Sequence, residues 1–292
     1  MKAADLKTLA QLAEQAAAIA ADFIRQYSHG DITVELKSGM SSKASEVVTW
    51  VDLQCQALIL NHLQESIAHY DLGLLTEELP DDGSRLTKDY FWCIDPLDGT
   101  LAFTERRPGY AVSIALVSRT GVPMIGVVHE PITDQRIVAV RGQGVQSSLE
   151  RTLDSQATPD QLVCCLDHVM AEHPRYAALR TMLDELTQSQ ALTDTRYISG
   201  AGAVLQACQA SLHEHAVFFK IPKVAQGGGC IWDYAATACI FEELGYHVTD
   251  LYGAALQLNN PKSLYMNHCG VLYSSRKELA RDIIDWFQSI ER

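Results

Sequence analysis

No run of about 18 consecutive apolar residues occurs anywhere in this 292-residue chain, so the sequence predicts no membrane-spanning helix. The first 27 residues are rich in alanine, but Asp5, Lys7, Gln11, Glu14 and Gln15 interrupt them. They lack the continuous apolar segment of a secretory signal and read instead as an amphipathic helix, which makes the expected address cytoplasmic. Positive charge is scarce: 23 Lys and Arg stand against 36 Asp and Glu, a net charge of -13. That balance argues against binding a nucleic acid polymer, which needs a basic footprint. It also means that an anionic substrate must be drawn in by local cations rather than by the overall field. The eight cysteines form no C-x-x-C pair, and most sit among apolar neighbours. A chain of this size needs no covalent staples, so buried free thiols are expected over a disulfide framework. Proline and glycine are not enriched, and neither a low-complexity tract nor an internal repeat is present.

What is there is 47% hydrophobic residues and 20% charged ones, the balance of a globular protein with ample core. Helical spacing predicts helices over residues 3–27 and 52–67, with a strand over 32–36 and a polar loop over 37–46 between them. Residues 72–78 read as a strand with an acidic end, and 80–89 as a turn-rich loop. Three β-like runs follow at 111–118, 123–131 and 136–140, separated by connections of hairpin length, which predicts an antiparallel meander. Beyond a polar interval at 141–148 the rhythm changes to strands at 162–167, 195–199 and 216–220, each followed by a helix, at 173–188, 202–212 and 233–244. The predicted organisation is an α+β segment over 1–148, carrying the main site, and an α/β segment over 149–292.

Acidic residues gather at the ends of these elements. In WCIDPLDGTLAF (92–103), Asp95 and Asp98 follow an apolar run; Asp-Pro and Asp-Gly are ordinary turn dipeptides. The alternative is that Pro96 stiffens a turn in which both carboxylates face a hard divalent cation, which takes oxygen ligands at about 2.0–2.6 Å. Gly99 and Thr100 would then open a short helix whose free N–H groups suit a phosphate. Asp233, in GGGCIWDYAATACIFEELG (227–245), reads either as a helix N-cap or as a third carboxylate beside a glycine loop. Glu77 and Glu78 end the strand at 74–78, where solvated acids are common, and Thr49 and Asp52 stand at a helix start. Each cluster alone admits the ordinary reading; four in one chain point to a metal site.

Taken together and in this order, VTWVD (48–52), LLTEE (74–78), WCIDPLDGTLAF and WDYAATACIFEELG resemble the signature segments of the inositol monophosphatase family, over about residues 5 to 275. The resemblance implies a layered αβαβα sandwich of the inositol monophosphatase and sugar phosphatase type. It implies a magnesium-dependent, lithium-sensitive phosphatase that acts on a small phosphorylated substrate with two or three Mg²⁺ ions, no membrane partner, and a homodimer by analogy alone. It assigns Glu77, Asp95 and the Leu97 carbonyl to a first metal, and Asp95, Asp98 and Asp233 to a second. Glu77 and Thr100 would hold the attacking water, Asp52, Thr49 and Glu78 would belong to the surrounding network, and the Gly99 and Thr100 amides would grip the phosphate. Such ions would offset the repulsion of the phosphate dianion, lower the pKa of a bound water and stabilise the leaving oxygen.

The substrate is less well specified. Relatives specific for bisphosphate nucleotides carry G-S-S-x-K, but here the segment is SGAGAVLQAC (199–208), with Val204 or Gln206 in place of the lysine. Inositol-type relatives carry an acid where this chain has Gln226, which with Asp233 would contact substrate hydroxyls. Lys220 and Lys223 lie just upstream and leave room for a second anionic group. The leading expectation is therefore hydrolysis of an inositol monophosphate-like ester; adenosine 3',5'-bisphosphate is the second, and a non-catalytic metal-dependent binding module the third. An aspartyl-nucleophile phosphatase of the D-x-D-G-T type fits less well, because two residues separate the acids here.

Overall fold

The computed structural model describes residues 1–28, 34–36, 47–148, 157–166, 170 and 173–291; for 34–36 and 47–49 it describes the backbone only. The loop expected over 37–46 lies outside the described residues. Helices α1 (Ala3–Tyr27) and α2 (Trp50–Tyr70) form the first layer, with the short hairpin β1 (Val34–Leu36) and β2 (Val47–Thr49) between them in sequence. The first sheet contains β3 (Gly73–Thr76), β4 (Tyr90–Asp98), β5 (Ala111–Ser118), β6 (Pro123–Glu130), β7 (Gln135–Val140) and β8 (Gly144–Ser147), hydrogen-bonded in that order. β3 and β4 are parallel and every other pair is antiparallel, as the expected meander requires.

Alternation along these strands sorts the core into two faces. Trp92, Ile94, Val112, Ile114, Leu116, Ile125 and Val127 point to α1 and α2. α1 presents a stripe of buried alanines, and their small side chains let it lie close against the sheet. Phe91, Cys93, Ala111, Ala115, Val117 and Val128 face the middle layer, formed by α6 (Ala203–Ser211) and α7 (Ile231–Glu243). Gly126 marks the tightest contact: a Cβ there would lie 2.2 Å from the Ala236 carbonyl oxygen of α7.

The second sheet runs β10 (Thr195–Ile198), β9 (Leu162–Cys165), β11 (Ala216–Lys220), β13 (Val271–Ser274), β12 (His247–Thr249). Phe218 and Tyr273 turn toward α6 and α7, while Val217, Phe219 and Leu272 turn toward α5 (Tyr176–Ser189) and α8 (Lys277–Ile290). The layers are thus αβαβα. The division after residue 148, kept as a proposal, separates the residues of the two sheets, and one buried core draws on both segments. All eight cysteines are free and seven are buried. No helix among the described residues is long and apolar enough to cross a membrane.

Several boundaries differ from expectation. α2 starts two residues early, at Trp50, which places Asp52 inside its first turn. The loop over 80–89 contains the four-residue α3 (Ser84–Thr87), and the polar interval over 141–148 contains β8. β12, β13 and α8 extend the fold through a C-terminal segment for which the sequence reading offered no elements.

Candidate metal centre

The Asp95–Asp98 segment is not a turn. β4 continues through Asp98, and its pairing with β5 shifts: Asp95 stands opposite Ser113 and Asp98 opposite Ala111. Three steps on β4 therefore match two on β5, the signature of a bulge with one extra residue. In a regular strand, residues three apart point to opposite faces. The bulge absorbs the odd residue, so Asp98 joins Asp95 on the face toward α7, where the Ser113 hydroxyl reaches the Trp232 carbonyl at 3.4 Å. The Leu97 side chain is buried on the other face, among the residues beneath α1 and α2. Its N–H donates to Asp95 Oδ1 at 3.0 Å, and its carbonyl accepts the Thr100 hydroxyl at 3.1 Å.

Gly99 then reverses the chain with φ 86° and ψ 31°, and a Cβ there would meet the Gly109 carbonyl oxygen at 2.5 Å. It opens the five-residue α4 (Thr100–Thr104). The Thr100 hydroxyl also lies 3.1 Å from Asp52 Oδ1, so its one hydrogen has two acceptors, of which the carboxylate is the stronger. One turn along α2 from the buried Asp52, the buried Gln56 accepts the Thr76 hydroxyl and, at 3.1 Å, the Glu78 N–H. The Glu77 N–H donates to the Ile94 carbonyl at 3.1 Å. The helix that carries Asp52 thus clamps Thr76 and Glu78 at the end of β3, while β4 holds Glu77 between them.

Two helix starts complete the centre. The Asp98 carboxylate accepts the N–H groups of Ala203 at 3.2 Å and Val204 at 2.9 Å, so it caps α6. Gly202 has to be glycine for steric reasons: a Cβ there would lie 2.2 Å from Asp98 Oδ2. Asp233 is not the N-cap of α7, as one sequence reading had it. Cys230 is the N-cap, and Asp233 three residues later accepts the Cys230 N–H at 2.5 Å. The half-buried Asp233 carboxylate also shares a hydrogen bond with the Asp95 carboxyl.

Asp95, Asp98 and Asp233 each offer an oxygen within 4.8 Å of the others. Three carboxylates so close repel one another, and two are buried. Burial, together with the charges of Glu77, Asp98 and Asp233, holds Asp95 well above the usual carboxylate range. Burial and then Asp233 raise Asp98 to about 8, against the opposing pull of the Val204 N–H and the Lys220 ammonium. Protons or a cation must offset this charge, and an all-oxygen donor set suits a hard divalent ion.

The other candidate residues are dispersed. Glu77 stands outside the trio but near enough for its charge to act on Asp95 and Asp98. Thr49 ends β2, opposite Val34, and its side chain is outside the described structure. Gln226 is exposed in the β11–α7 loop, whereas Val204 and Gln206 are buried in α6. Gln56 and Gly202 carry only faint signals in the sequence, a glutamine one turn after Asp52 and a glycine ahead of a helix.

A family model described as the inositol monophosphatase family matches residues 5–292. The chain belongs to that family. It is 30% identical over 217 residues to inositol monophosphatase 2 of Solanum lycopersicum, covering 73% of this chain and 78% of the relative. It is 26% identical over 260 residues to the 3'(2'),5'-bisphosphate nucleotidase CysQ of Escherichia coli K12, covering 87% and 94%. Among solved structures, the fold matches an IMPase/NADP phosphatase complexed with Mg²⁺ and phosphate, with a TM-score of 0.67, 18% identity, and 96% and 95% coverage. Family membership makes this chain a phosphatase of the inositol monophosphatase superfamily, with small phosphorylated substrates.

Proposed function

We propose that the protein is a Mg²⁺-dependent phosphomonoesterase acting on a small ester of the inositol monophosphate type. The observation that carries this reading is the trio Asp95, Asp98 and Asp233, three carboxylates within 4.8 Å at the meeting point of a bulged strand and two helix starts. These residues, with Glu77 and the Leu97 carbonyl, would hold the two or three ions expected from the family. When bound, Mg²⁺ would neutralise the phosphate dianion and acidify a bound water.

The chain's own groups would do the rest. The Thr100 hydroxyl, within reach of Asp52 Oδ1, can pass its hydrogen to that carboxylate while accepting one from the attacking water, which Glu77 would orient. Asp52 is held for this role inside α2, and Gln56 holds the residues on either side of Glu77, Thr76 by its hydroxyl and Glu78 by its N–H. The backbone at Gly99–Thr100, turned by the left-handed glycine, would receive the phosphate oxygens. Thr49 would extend the network, and Gln226 with Asp233 would meet substrate hydroxyls. Lithium inhibition, a homodimer and a cytoplasmic address are further expectations of this reading.

A bisphosphate nucleotide is the second reading, supported by the CysQ relative and by Lys220, whose charge acts on Asp98. The test is hydrolysis of inositol 1-phosphate and adenosine 3',5'-bisphosphate with Mg²⁺ and with a chelator. Turnover that requires Mg²⁺ is expected. Turnover indifferent to the chelator, or saturable binding of both compounds without hydrolysis, would overturn the proposal; the latter would favour a binding module.

A further inference from the structure

Three glycines precede Cys230 and Asp233, and all adopt left-handed φ: 117° at Gly227, 80° at Gly228 and 98° at Gly229. Residues with a Cβ rarely take such values, so the run answers a demand of the backbone. Part of that demand is steric. A Cβ at Gly229 would lie 2.5 Å from Tyr234 Cζ, because the Tyr234 ring reaches back beneath the loop. Its hydroxyl donates there to the Gly228 carbonyl at 2.8 Å.

Tyr234 directly follows Asp233, so this bond closes a circuit. From Gly228 the chain turns at Gly229, donates the Cys230 N–H to Asp233 Oδ2 at 2.5 Å, and returns through Tyr234 to Gly228. Neighbouring segments brace the circuit from outside. The Met266 N–H donates to the Gly229 carbonyl at 3.0 Å, and the Ile231 N–H to the Leu264 carbonyl at 2.9 Å. At the entry to the loop, the Lys223 N–H donates to the Asn267 carbonyl at 2.7 Å, and the Lys223 carbonyl accepts Asn267 Nδ2 at 3.1 Å.

The helix itself is held on both sides of Asp233. The Trp232 carbonyl accepts the Ser113 hydroxyl of β5 at 3.4 Å, and the Tyr234 carbonyl accepts the Tyr273 hydroxyl of β13 at 3.0 Å. The backbone of Asp233 is thereby registered between the two sheets. The sheets do not fix its carboxylate. Asp95 and Asp98 are buried, whereas Asp233 is half-buried, so among three mutually repelling groups it is the one with solvent to swing into. Its bonds to the Cys230 N–H and the Asp95 carboxyl oppose that swing. The first of these depends on the shape of the glycine loop, which the Tyr234 hydroxyl ties down.

We propose that Tyr234 is a positioning residue of the metal centre: through the Gly228 carbonyl it keeps the Cys230 N–H on Asp233, and the glycine run is shaped to receive it. This rests on the Mg²⁺-dependent reading above, and it names a residue of this chain that sets how firmly the ion is held.

Tyr234→Phe removes the hydroxyl and keeps the ring beneath Gly229. Calorimetric titration with Mg²⁺ alone should show binding about three- to tenfold weaker than in wild type, the cost of ordering one freed side chain. The half-saturating Mg²⁺ for hydrolysis of inositol 1-phosphate should shift by the same factor. Tyr273→Phe frees the Tyr234 carbonyl but spares the bond to Gly228, and should give a smaller loss in the same direction. Thr187→Val is the contrast: it loses a buried hydroxyl of α5, bonded to the Leu183 carbonyl at 2.8 Å, and should lower Tm in chelator without moving Mg²⁺ affinity. A wild-type Mg²⁺ affinity in Tyr234→Phe, whatever its Tm, would overturn the proposal; should that variant fail to fold, a wild-type affinity in Tyr273→Phe does the same. Wild type that takes up no Mg²⁺ would instead overturn the metal-centre reading on which the proposal rests.

Discussion

The carboxylate floor and the β11–α7 loop are built on opposite plans. On the floor, Asp95 and Asp98 are buried and held by the backbone N–H groups of Leu97, Ala203 and Val204. In the loop, Val224 is 103% exposed and Gln226 is exposed, while the glycines beneath them are pinned. The floor fixes carboxylates regardless of what is bound, as positioning charge for chemistry requires. The loop fixes only its own base and leaves its tip to solvent. On the proposed reading, the reaction type would belong to the first region, and the substrate contacts expected of Gln226 would belong to the second.

Predictions sharpen this contrast in order of effect. Asp98→Asn should lower Mg²⁺-dependent turnover by at least about 10²-fold, since it removes a charge the ion would need. The protein should remain folded, because the asparagine oxygen can still accept one of the two N–H groups at the start of α6 and the repulsion among the buried carboxylates falls; circular dichroism checks the fold and phosphate release the activity. A folded, fully active variant would separate Asp98 from the chemistry.

Gly202→Ala should come next. The backbone there is extended, with φ −63° and ψ 168°, so an alanine meets no conformational strain, only the Asp98 carboxylate. Overpacking of that kind costs about 1–3 kcal/mol and should weaken Mg²⁺ binding together with stability. Unchanged denaturant midpoint and metal affinity would show that Asp98 gives way freely.

Gln56→Leu should cost about 1–3 kcal/mol, because the buried Thr76 hydroxyl and the Glu78 N–H lose their acceptor. Activity should fall less than in Asp98→Asn, since Gln56 positions the acidic pair without forming part of it. A denaturant midpoint equal to wild type would show that water replaces the amide.

Much of this was legible in the sequence. The meander, the strand–helix rhythm of the second half and the acidic element ends all follow from periodicity and composition, and the resemblance supplied the layering. The bulge did not show, because it is a property of β4 paired with β5; the local code, Asp-Pro and Asp-Gly, speaks for a turn. Asp233 looked like an N-cap because aspartate is a common one and cysteine is not. The need for Gly202 arises from a carboxylate about a hundred residues earlier, a contact that no local pattern encodes. The exposed loop was legible as glycine-rich, but the ties from Asn267 and Met266 that pin it come from beyond α7.

The most direct test of the metal centre is thermal stability against pH, with a chelator and with Mg²⁺. Asp98 is raised to about 8 in the fold, so the folded protein holds a proton that the unfolded chain has already released above the ordinary carboxylate range. Stability from that proton is complete below the unfolded pKa and is lost as pH rises through about 8, and Asp95, shifted in the same direction, adds to the loss. In chelator, Tm should therefore fall between about pH 5 and pH 9; Mg²⁺ should restore it, and the restoration should grow with pH as the ion replaces the departing protons. A Tm that Mg²⁺ leaves unchanged at pH 9, or raises equally at pH 5 and pH 9, would contradict a divalent-cation site built from Asp95, Asp98 and Asp233.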